Sequence, residues 1–266
     1  MNARPESDRW RVKPKDRVDL AAHDPDSTEG APGGDRAHTE AALPDLQAAL
    51  ADLQDRLFAE SRRSLLVVLQ ALDAGGKDGT IKHVFRGVNP QGCRVQSFKE
   101  PTNLELAHDF LWRVHRATPR AGEIGIFNRS HYEDVLVTRV HGTISEEACR
   151  ERYELINAFE ATLAHGGTTV IKLFLHISKK EQRKRIDARL HEAKKRWKFQ
   201  PSDLAERERW DDYQRAFEAA LTATSTAPAP WYVIPSDHKW YRNWAVNRVL
   251  VDALVRMDPQ YPEPVV

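Results

Sequence analysis

The segment from Asp73 to Thr80, DAGGKDGT, joins glycines, a lysine and two carboxylates in the order expected of a phosphate-binding loop. Glycines permit a tight turn whose N–H groups point at phosphate oxygens, and a helix that begins there adds its positive dipole end. The pattern GxxxxGK[ST] is not fully met, because Ala71 replaces its first glycine and Asp78 its serine or threonine. The alternative interpretation is an ordinary left-handed turn before a helix.

Two carboxylates in this loop, Asp73 and Asp78, would repel a bound phosphate unless a cation lies between them and it. Oxygen ligands combined with phosphate suit Mg²⁺, so both residues are predicted metal ligands, with Asp73 favoured. For Asp78 the alternative is a helix N-terminal carboxylate that the dipole stabilises. Lys82 and Arg86 lie four residues apart beyond the loop, where they either continue a phosphate track or form a solvated face.

The loop follows the most strand-like part of the chain, Ser64 to Asp73, which is apolar and β-branched as in a strand buried on both faces. Further strands are predicted at Arg94–Lys99, Glu123–Asn128, Thr168–Ile177 and Trp231–Pro235. Helical patterns occur near Ala41–Leu57 and Ile81–Val88, then at Leu104–His115, Ser145–His165, Lys179–Trp197, Leu204–Thr222 and Trp240–Arg256. This alternation predicts an α/β fold, a three-layer α/β/α sandwich around a central parallel five-stranded sheet.

The 266 residues are long enough for one large domain. Residues 1–40 are rich in Asp, Pro and Gly and are expected to be a flexible N-terminal arm, residues 41–257 a single domain, and residues 258–266 a tail. Within the arm, the alternative for the short stretch Trp10-Arg11-Val12 is that it docks onto the body of the protein. Apolar runs stay well below the roughly 20 residues that span a bilayer, and the first residues lack an apolar signal core, so a cytoplasmic protein without membrane partners is expected. The two cysteines, Cys93 and Cys149, do not suggest a disulfide framework or a zinc site.

A basic segment lies between the fourth and fifth predicted strands. Lys179 to Lys198 contains ten Lys or Arg against three carboxylates, whereas the whole chain has a net charge of only +1. Ile186, Leu190, Ala193 and Trp197 would form one apolar helix face. Residues 179–222 are therefore interpreted as a basic helical lid that binds a polyanion, and the alternative is a solvated helix.

A third cluster follows the strand Glu123–Asn128. In P-loop proteins the neighbouring strand usually ends in an aspartate that orients Mg²⁺. Here the strand ends in Asn128, and Arg129 and Glu133 follow. At this point the chain resembles the polyphosphate kinase 2 family, over residues 65 to 245 approximately, through LDAGGKDGTIKHVFRGVNPQG, FKEPTNLELAHDFLWRVH, GIFNRSHYEDVLVTRVHG and SDHKWYRNW.

The resemblance implies a P-loop kinase fold with a lid, in which inorganic polyphosphate donates a phosphoryl group to AMP or ADP, or other nucleoside mono- and diphosphates, with Mg²⁺ as cofactor. It implies that Asp73 holds the metal and orients the acceptor, that Lys77 binds the transferring phosphates and that Arg129 stabilises charge on the moving group. Many family members have Asp where this chain has Asn128, so the metal arrangement differs here, and Glu133 compensates in part. The residues at Asn128 and Glu133 resemble the subgroup that phosphorylates both classes of nucleotide.

The candidate residues fall into two sets. The predicted catalytic residues are Asp73, Lys77, Asn128, Arg129 and Glu133. The predicted phosphate-binding residues are Ala74, Gly75, Gly76, Lys77, Asp78, Gly79, Thr80, Lys82, Arg86, Arg183, Arg189, Lys194, Lys195 and Lys198. A homo-oligomer is expected.

Two other functions are compatible with these residues. The first is an ATP-dependent small-molecule kinase, which would not require the basic segment. The second is a non-catalytic polyanion-binding protein, in which Asn128 would indicate that catalytic activity has been lost. A nucleic-acid partner is not expected, because the basic segment is interleaved with only Trp197 and Phe199 as aromatics.

Overall fold

The structure is a computed structural model that describes residues 5 to 264. The strands are β1 (Ser64–Gln70), β2 (Cys93–Ser97), β3 (Ile124–Asn128), β4 (Thr168–His176) and β5 (Trp231–Pro235). The α-helices are α1 (Arg36–Glu60), α2 (Lys77–Val84), α3 (Asn103–Leu106), α4 (Trp112–His115), α5 (Glu133–Val140), α6 (Glu146–His165), α7 (Lys179–His191), α8 (Ser202–Glu208), α9 (Trp210–Thr224) and α10 (Lys239–Met257).

The five strands form one all-parallel sheet in the order β2-β3-β1-β4-β5, which confirms the predicted fold class. The central strand β1 is buried along its whole length because helices cover both faces of the sheet. On one face the core includes residues of α1, α2 and α10, such as Leu57 and Leu250, and on the other residues of α5, α6 and α9, such as Ile156 and Phe217. The result is a three-layer α/β/α sandwich.

The sheet brings together two predicted polar clusters that are far apart in sequence. In the pairing of β1 with β3, Leu69 lies opposite Asn128, so the loop after β1 and the cluster after β3 leave the sheet side by side. Both lie at the carboxyl ends of parallel strands, where open α/β sheets bind their ligands.

The N-terminal segment differs from the predicted flexible arm over the part that the structure describes. Val12 N–H donates to the Trp231 carbonyl at 2.9 Å, Val18 N–H donates to the Thr222 hydroxyl, and Trp10 is only 5% exposed. Helix α1 begins at Arg36, where the side chain of Asp35 caps it by accepting from the His38 N–H. The segment is ordered because partners elsewhere in the chain bury its few apolar residues.

Three predicted helices are divided or shortened. The stretch 104–115 forms two single-turn helices, α3 and α4, and the stretch 204–222 is interrupted at Arg209 between α8 and α9. Helix α7 ends at His191, so Trp197 is not on its apolar face and is 76% exposed. Helix α9 packs into the core through Phe217 and Leu221, which restricts the lid-like part of the basic region to α7, α8 and the chain between them.

Across residues 5–264, none of the helices combines the length and the apolar character that crossing a membrane requires.

Candidate active site

The loop between β1 and α2 has the backbone shape that its glycines permit. Ala74 and Gly76 have left-handed φ values of 60° and 107°. A Cβ atom on Gly75 would lie 2.5 Å from the Ala71 Cβ and 2.7 Å from the Leu72 carbonyl oxygen, so only glycine fits there. Helix α2 begins at Lys77 directly after this turn. Its first N–H groups have no carbonyl acceptor within the helix and are therefore suited to bind phosphate oxygens.

The Lys77 ammonium folds back over this loop and donates to the Ala71 carbonyl at 2.8 Å. Burial and the nearby Arg129 guanidinium lower its pKa, while the carboxylates of Asp73, Glu133 and Asp78 act in the opposite direction. A cation partly stripped of water, whose nearest acceptor is a neutral carbonyl, can transfer its hydrogen bonds to an incoming phosphate at low cost.

Arg129 connects the loop after β1 to the polar cluster that follows β3. Its guanidinium contacts the Asp73 carboxylate at 2.9 Å and the Glu133 carboxylate at 3.4 Å. The residue has a left-handed φ of 62°, and its N–H donates to the Leu69 carbonyl at 3.1 Å. The two carboxylates hold the guanidinium at the mouth of the loop, and they raise its pKa against the effect of burial.

Asp78 accepts hydrogen bonds on both carboxylate oxygens. Asn128 Nδ2 donates to Oδ1 and Lys198 Nζ to Oδ2, each at 2.9 Å. Burial acts to raise the pKa of Asp78, but the bonds from Lys198 and Asn128 outweigh it and the pKa is lowered. Asp78 therefore links the segment predicted to be a lid, the loop after β1 and the end of β3, and a metal ion would have to compete with two donors for its oxygens.

Helix α7 holds one side of the loop. Arg185 Nη1 donates to the carbonyls of Ala74 and Gly75 at 3.2 and 3.0 Å, and Gln182 Nε2 donates to the Asp73 carbonyl at 3.0 Å. Because C=O and N–H point in opposite directions across a trans peptide, fixing the Gly75 carbonyl on this side aims the Gly76 N–H at the other.

The other lid cations are held by local partners or exposed. Arg189 pairs with Asp203 at 2.8 Å and thereby joins α7 to α8, while Arg183 pairs with Asp187 at 2.9 Å and Lys195 with Glu192 at 2.6 Å. Lys194 is exposed, as are Lys82 on α2 and Arg86 beyond its end. Of the predicted lid cations, the structure thus brings Lys198 to the loop and leaves Arg183 and Lys194 on the surface.

The carboxylates at this site suit a metal ion that is bound together with phosphate. Within residues 5–264 there is no cluster of three or more His, Cys, Asp or Glu side chains arranged around a metal position. Asp73 and Glu133 are nevertheless close together, on either side of Arg129. Mg²⁺ in phosphotransferases commonly takes one or two carboxylates and completes its shell with phosphates and water. The residues therefore fit Mg²⁺ bound together with phosphate, and they do not form an all-protein cage.

His131 and Asp134 also belong to the polar cluster that follows β3, but they point away from the loop. His131 is fully buried, and its Nε2 lies 3.3 Å from Glu160, which also binds Lys172 at 2.5 Å. Burial lowers the pKa of His131 despite this carboxylate. Asp134 faces Arg113 at 3.9 Å, and burial raises its pKa to about 6. Among the acids after β3, only Glu133 faces the site.

Three residues close to the loop were not among the sequence candidates: Gln182, Arg185 and Arg242. Arg185 was one of many cations in a basic run, and nothing in the run distinguishes the one that is 9% exposed. Arg242 lies in the late segment SDHKWYRNW, which carried part of the family resemblance without a role for its basic residues.

Known proteins are similar to this chain over most of its length. The family model described as "Polyphosphate kinase 2 (PPK2)" matches residues 34–262. An "AMP/ADP-polyphosphate phosphotransferase" of Meiothermus ruber is 54% identical over 96% of this chain and 96% of its own. An "ADP-polyphosphate phosphotransferase" of Rhodopseudomonas palustris is 46% identical over 80% of this chain and 78% of its own. The crystal structure of a polyphosphate kinase 2 from Arthrobacter aurescens TC1 superposes with a TM-score of 0.95 at 44% identity, and the match covers 99% of this chain and 94% of that one.

Proposed function

Because the chain belongs to the polyphosphate kinase 2 family, we infer that it transfers a phosphoryl group from inorganic polyphosphate to AMP or ADP, giving ADP or ATP. In this reaction a terminal phosphate oxygen of the nucleotide bonds to the end phosphorus of the chain. The P–O bond to the next phosphate breaks, and the polyphosphate is one unit shorter.

We assign the central role to the contact between Arg129 and Asp73 beside the phosphate loop, and this single observation carries the proposed mechanism. Lys77 and the N–H groups of the loop bind the phosphoryl group that moves, and Arg129 neutralises charge on its outer oxygens. Asp73 and Glu133 fix the direction of that guanidinium before substrate arrives. Positioning and charge neutralisation supply most of the rate in phosphoryl transfer, because the transition state is loose.

We further propose that Asp73 is the main protein ligand of Mg²⁺, with Glu133 as the second carboxylate. Bound Mg²⁺ would neutralise the phosphate oxygens. Asp78, whose oxygens already accept from Asn128 and Lys198, then anchors the lid to the loop in addition to or instead of binding metal. We also propose a cytoplasmic homo-oligomer, as the sequence led us to expect.

An end-point assay tests the function directly. Purified protein is incubated with Mg²⁺, long-chain polyphosphate and AMP or ADP, and the products are separated by chromatography. We expect ADP and ATP to form in proportion to polyphosphate consumed. A folded protein that forms neither nucleotide under these conditions would refute the proposal and favour an ATP-dependent kinase or a binding protein.

Two variants test the assigned residues. Lys77→Ala and Asp73→Asn should each lower kcat by about 10²-fold or more, the usual cost of losing a group that stabilises charge in the transition state. Lys13→Ala and Asp16→Asn make the same chemical changes at exposed positions of the N-terminal segment and should retain wild-type kcat. A wild-type rate in the Lys77 or Asp73 variant would remove that residue from the mechanism.

A further inference from the structure

A buried ion pair lies in the core behind the turn that joins β3 to α5. Lys172 of β4 and Glu160 of α6 are both fully buried, and Lys172 Nζ lies 2.5 Å from Glu160 Oε2. The ammonium also donates to the Tyr132 hydroxyl at 2.9 Å and to the Thr224 carbonyl at 2.6 Å, so each of its three N–H groups has an acceptor. Because apolar side chains of similar volume are often at least as stabilising as a buried ion pair, stability alone does not account for this one.

The carboxylate of this pair holds the turn. Glu160 Oε1 accepts from the Tyr132 hydroxyl at 2.9 Å and lies 3.3 Å from His131 Nε2. Both partners belong to the turn, both are fully buried, and α5 begins directly after Tyr132. The Tyr132 ring also packs edge-on against Trp231, with ring centroids 4.7 Å apart. The ring and the hydroxyl of Tyr132 are therefore both fixed.

The same turn is bonded to the end of β1. Gln70, the last residue of that strand, donates from Nε2 to the Ser130 hydroxyl oxygen at 3.0 Å, and the Tyr132 N–H donates to the same oxygen at 3.1 Å. Gln70 and Ser130 are fully buried. The phosphate loop begins three residues after Gln70, at Asp73. The turn and the strand that leads into the phosphate loop thus share one buried set of hydrogen bonds.

These buried residues separate the two site residues of the turn. Arg129 directly precedes Ser130, and Glu133 directly follows Tyr132. The Arg129 guanidinium contacts the Glu133 carboxylate at 3.4 Å, on the surface of the site. Fixing the three residues between them therefore sets where the Glu133 carboxylate stands relative to the guanidinium.

We propose that three members of this buried network, Tyr132, Glu160 and Lys172, are positioning residues for phosphoryl transfer. They hold Glu133 beside Arg129, and so keep the guanidinium aimed at the mouth of the phosphate loop. This inference rests on the proposed function, in which that guanidinium neutralises charge on the moving phosphoryl group. Because the three side chains are fully buried, they act through the turn and do not bind a substrate. A misplacement of about 1 Å can lower a rate about 10²-fold, so such support has a measurable effect.

Deletion of one hydroxyl tests the role. Tyr132→Phe removes the hydroxyl at the centre of the network and leaves the ring in the core. Tyr241→Phe is the matched control, on the other face of the sheet. The Tyr241 hydroxyl is equally buried, accepts from Trp10 Nε1 at 3.2 Å and donates to the Glu29 carbonyl at 2.6 Å. For both variants and wild type we would measure kcat, KM for polyphosphate and for ADP, and Tm.

Tyr132→Phe should lower kcat about tenfold and leave both KM values within about twofold, because an interaction is lost that matters only in the transition state. Both variants should have a lower Tm, but Tyr241→Phe should keep kcat within about twofold of wild type. A wild-type kcat in folded Tyr132→Phe would overturn the inference, as would an equal loss of kcat in the control.

The ion pair is tested by removing both charges together, since the loss of one partner would leave the other charge buried and unpaired. Glu160→Leu combined with Lys172→Met should lower kcat about tenfold, again with little change in KM. Full activity in this folded double variant would contradict a positioning role for the pair.

A double-mutant cycle distinguishes action through Arg129 from an independent effect. Arg129→Ala should itself lower kcat about 10²-fold or more. Adding Tyr132→Phe to Arg129→Ala should then change kcat by less than about twofold, because no guanidinium is left to position. A further tenfold loss in the combined variant would refute the inference. Failure of the proposed function would be distinct from all these results, because wild-type protein itself would then form no ATP from polyphosphate.

Discussion

Arg129 occupies a backbone conformation that residues other than glycine avoid, with φ at 62°. Such a conformation costs about 1–2 kcal/mol, so the surrounding contacts must hold it. Those contacts are the N–H bond to the Leu69 carbonyl and the ion pairs with Asp73 and Glu133. The guanidinium is thereby fixed at the mouth of the loop, so in the mechanism that we propose little reorganisation would remain for the reaction itself.

Asn128 should influence the choice between AMP and ADP as acceptor. Its amide donates to Asp78 at 2.9 Å, and Asn128→Asp would replace that donor with a second carboxylate. The repulsion should free Asp78 from β3 and change how nucleotide and metal are held. We expect the ratio of kcat/KM for AMP to that for ADP to change by about fivefold, which corresponds to ~1 kcal/mol. Asn157→Asp, on α6, makes the same change elsewhere and should leave the ratio unaltered. A wild-type ratio in Asn128→Asp as well would show that Asn128 does not influence acceptor choice.

His176 predicts a pH dependence of stability. It is 6% exposed, its Nδ1 has no hydrogen-bond partner in the described chain, and burial, with a contribution from His23, lowers its pKa to about 4. The unfolded chain, whose histidine titrates near 6.5, binds the proton first. Folding free energy from this residue is therefore complete above pH 6.5 and is lost as pH falls toward 4. The loss between pH 7 and 5 should be about 2 kcal/mol.

Denaturant unfolding at pH 7 and pH 5 measures this loss. His176→Gln should lose less stability between the two pH values than wild type does. His83→Gln, at an exposed histidine, should keep the wild-type difference. Equal differences in all three proteins would contradict the assignment.

At the scale of elements, the strands and the phosphate loop were predictable because their signals are local. The apolar run before Asp73 and the glycines after it are sufficient to predict β1 and the turn. The end of α7 at His191 was not, because no glycine or proline marks it. There the chain turns back where Arg189 meets Asp203 and Lys198 reaches Asp78, and such contacts between distant residues cannot be read from periodicity. Arg185 and Arg242 were missed for the same reason.

Replacing Gly76 with alanine should distort the phosphate loop. Gly76→Ala would place a left-handed φ of 107° on a residue with a side chain, and its Cβ would collide with Arg242 Nη1 at 2.1 Å. Gly87→Ala is a matched control, because Gly87 also has a left-handed φ, 94°, but open space around its Cβ position. Gly87→Ala should lower the free energy of unfolding only by the backbone strain of about 1–2 kcal/mol, and the variant should keep its activity.

Gly76→Ala should lose more stability than this control and at least about 10²-fold in kcat, since the loop N–H groups and Arg242 must both shift. Thermal unfolding and steady-state rates measure the two effects. Similar rates in both alanine variants would show that the loop tolerates the displacement.

For the whole molecule, the N-terminal segment belongs to the core although its composition suggested an arm. Trp10 packs edge-on against Tyr241 and Trp244 of α10, with ring centroids 6.1 and 5.5 Å away, and its Nε1 donates to the Tyr241 hydroxyl at 3.2 Å. The partners are more than 200 residues away in sequence, so a composition argument confined to residues 1–40 could not detect them.

Trp10→Ala should therefore lower the free energy of unfolding by about 3–5 kcal/mol, the usual cost of removing a buried aromatic ring. Trp197→Ala deletes the same side chain where it is 76% exposed and should change stability by less than about 0.5 kcal/mol. Chemical denaturation of both variants compares the two positions. A loss of unfolding free energy below about 1 kcal/mol for Trp10→Ala would instead support the prediction that the N-terminal segment is a flexible arm.

The packing of Trp10 against α10 also has a consequence for the order of events during synthesis. The ribosome makes Trp10 more than 200 residues before Tyr241 and Trp244, and at about 5–20 residues per second Trp10 must wait roughly ten seconds or more for these partners. Strand β1, the centre of the sheet, likewise lacks its neighbour β4 until well over half of the chain has emerged. The nascent chain therefore keeps apolar surface exposed until α10 is released, and chaperones that shield such surface have their greatest opportunity to act on this protein in that interval.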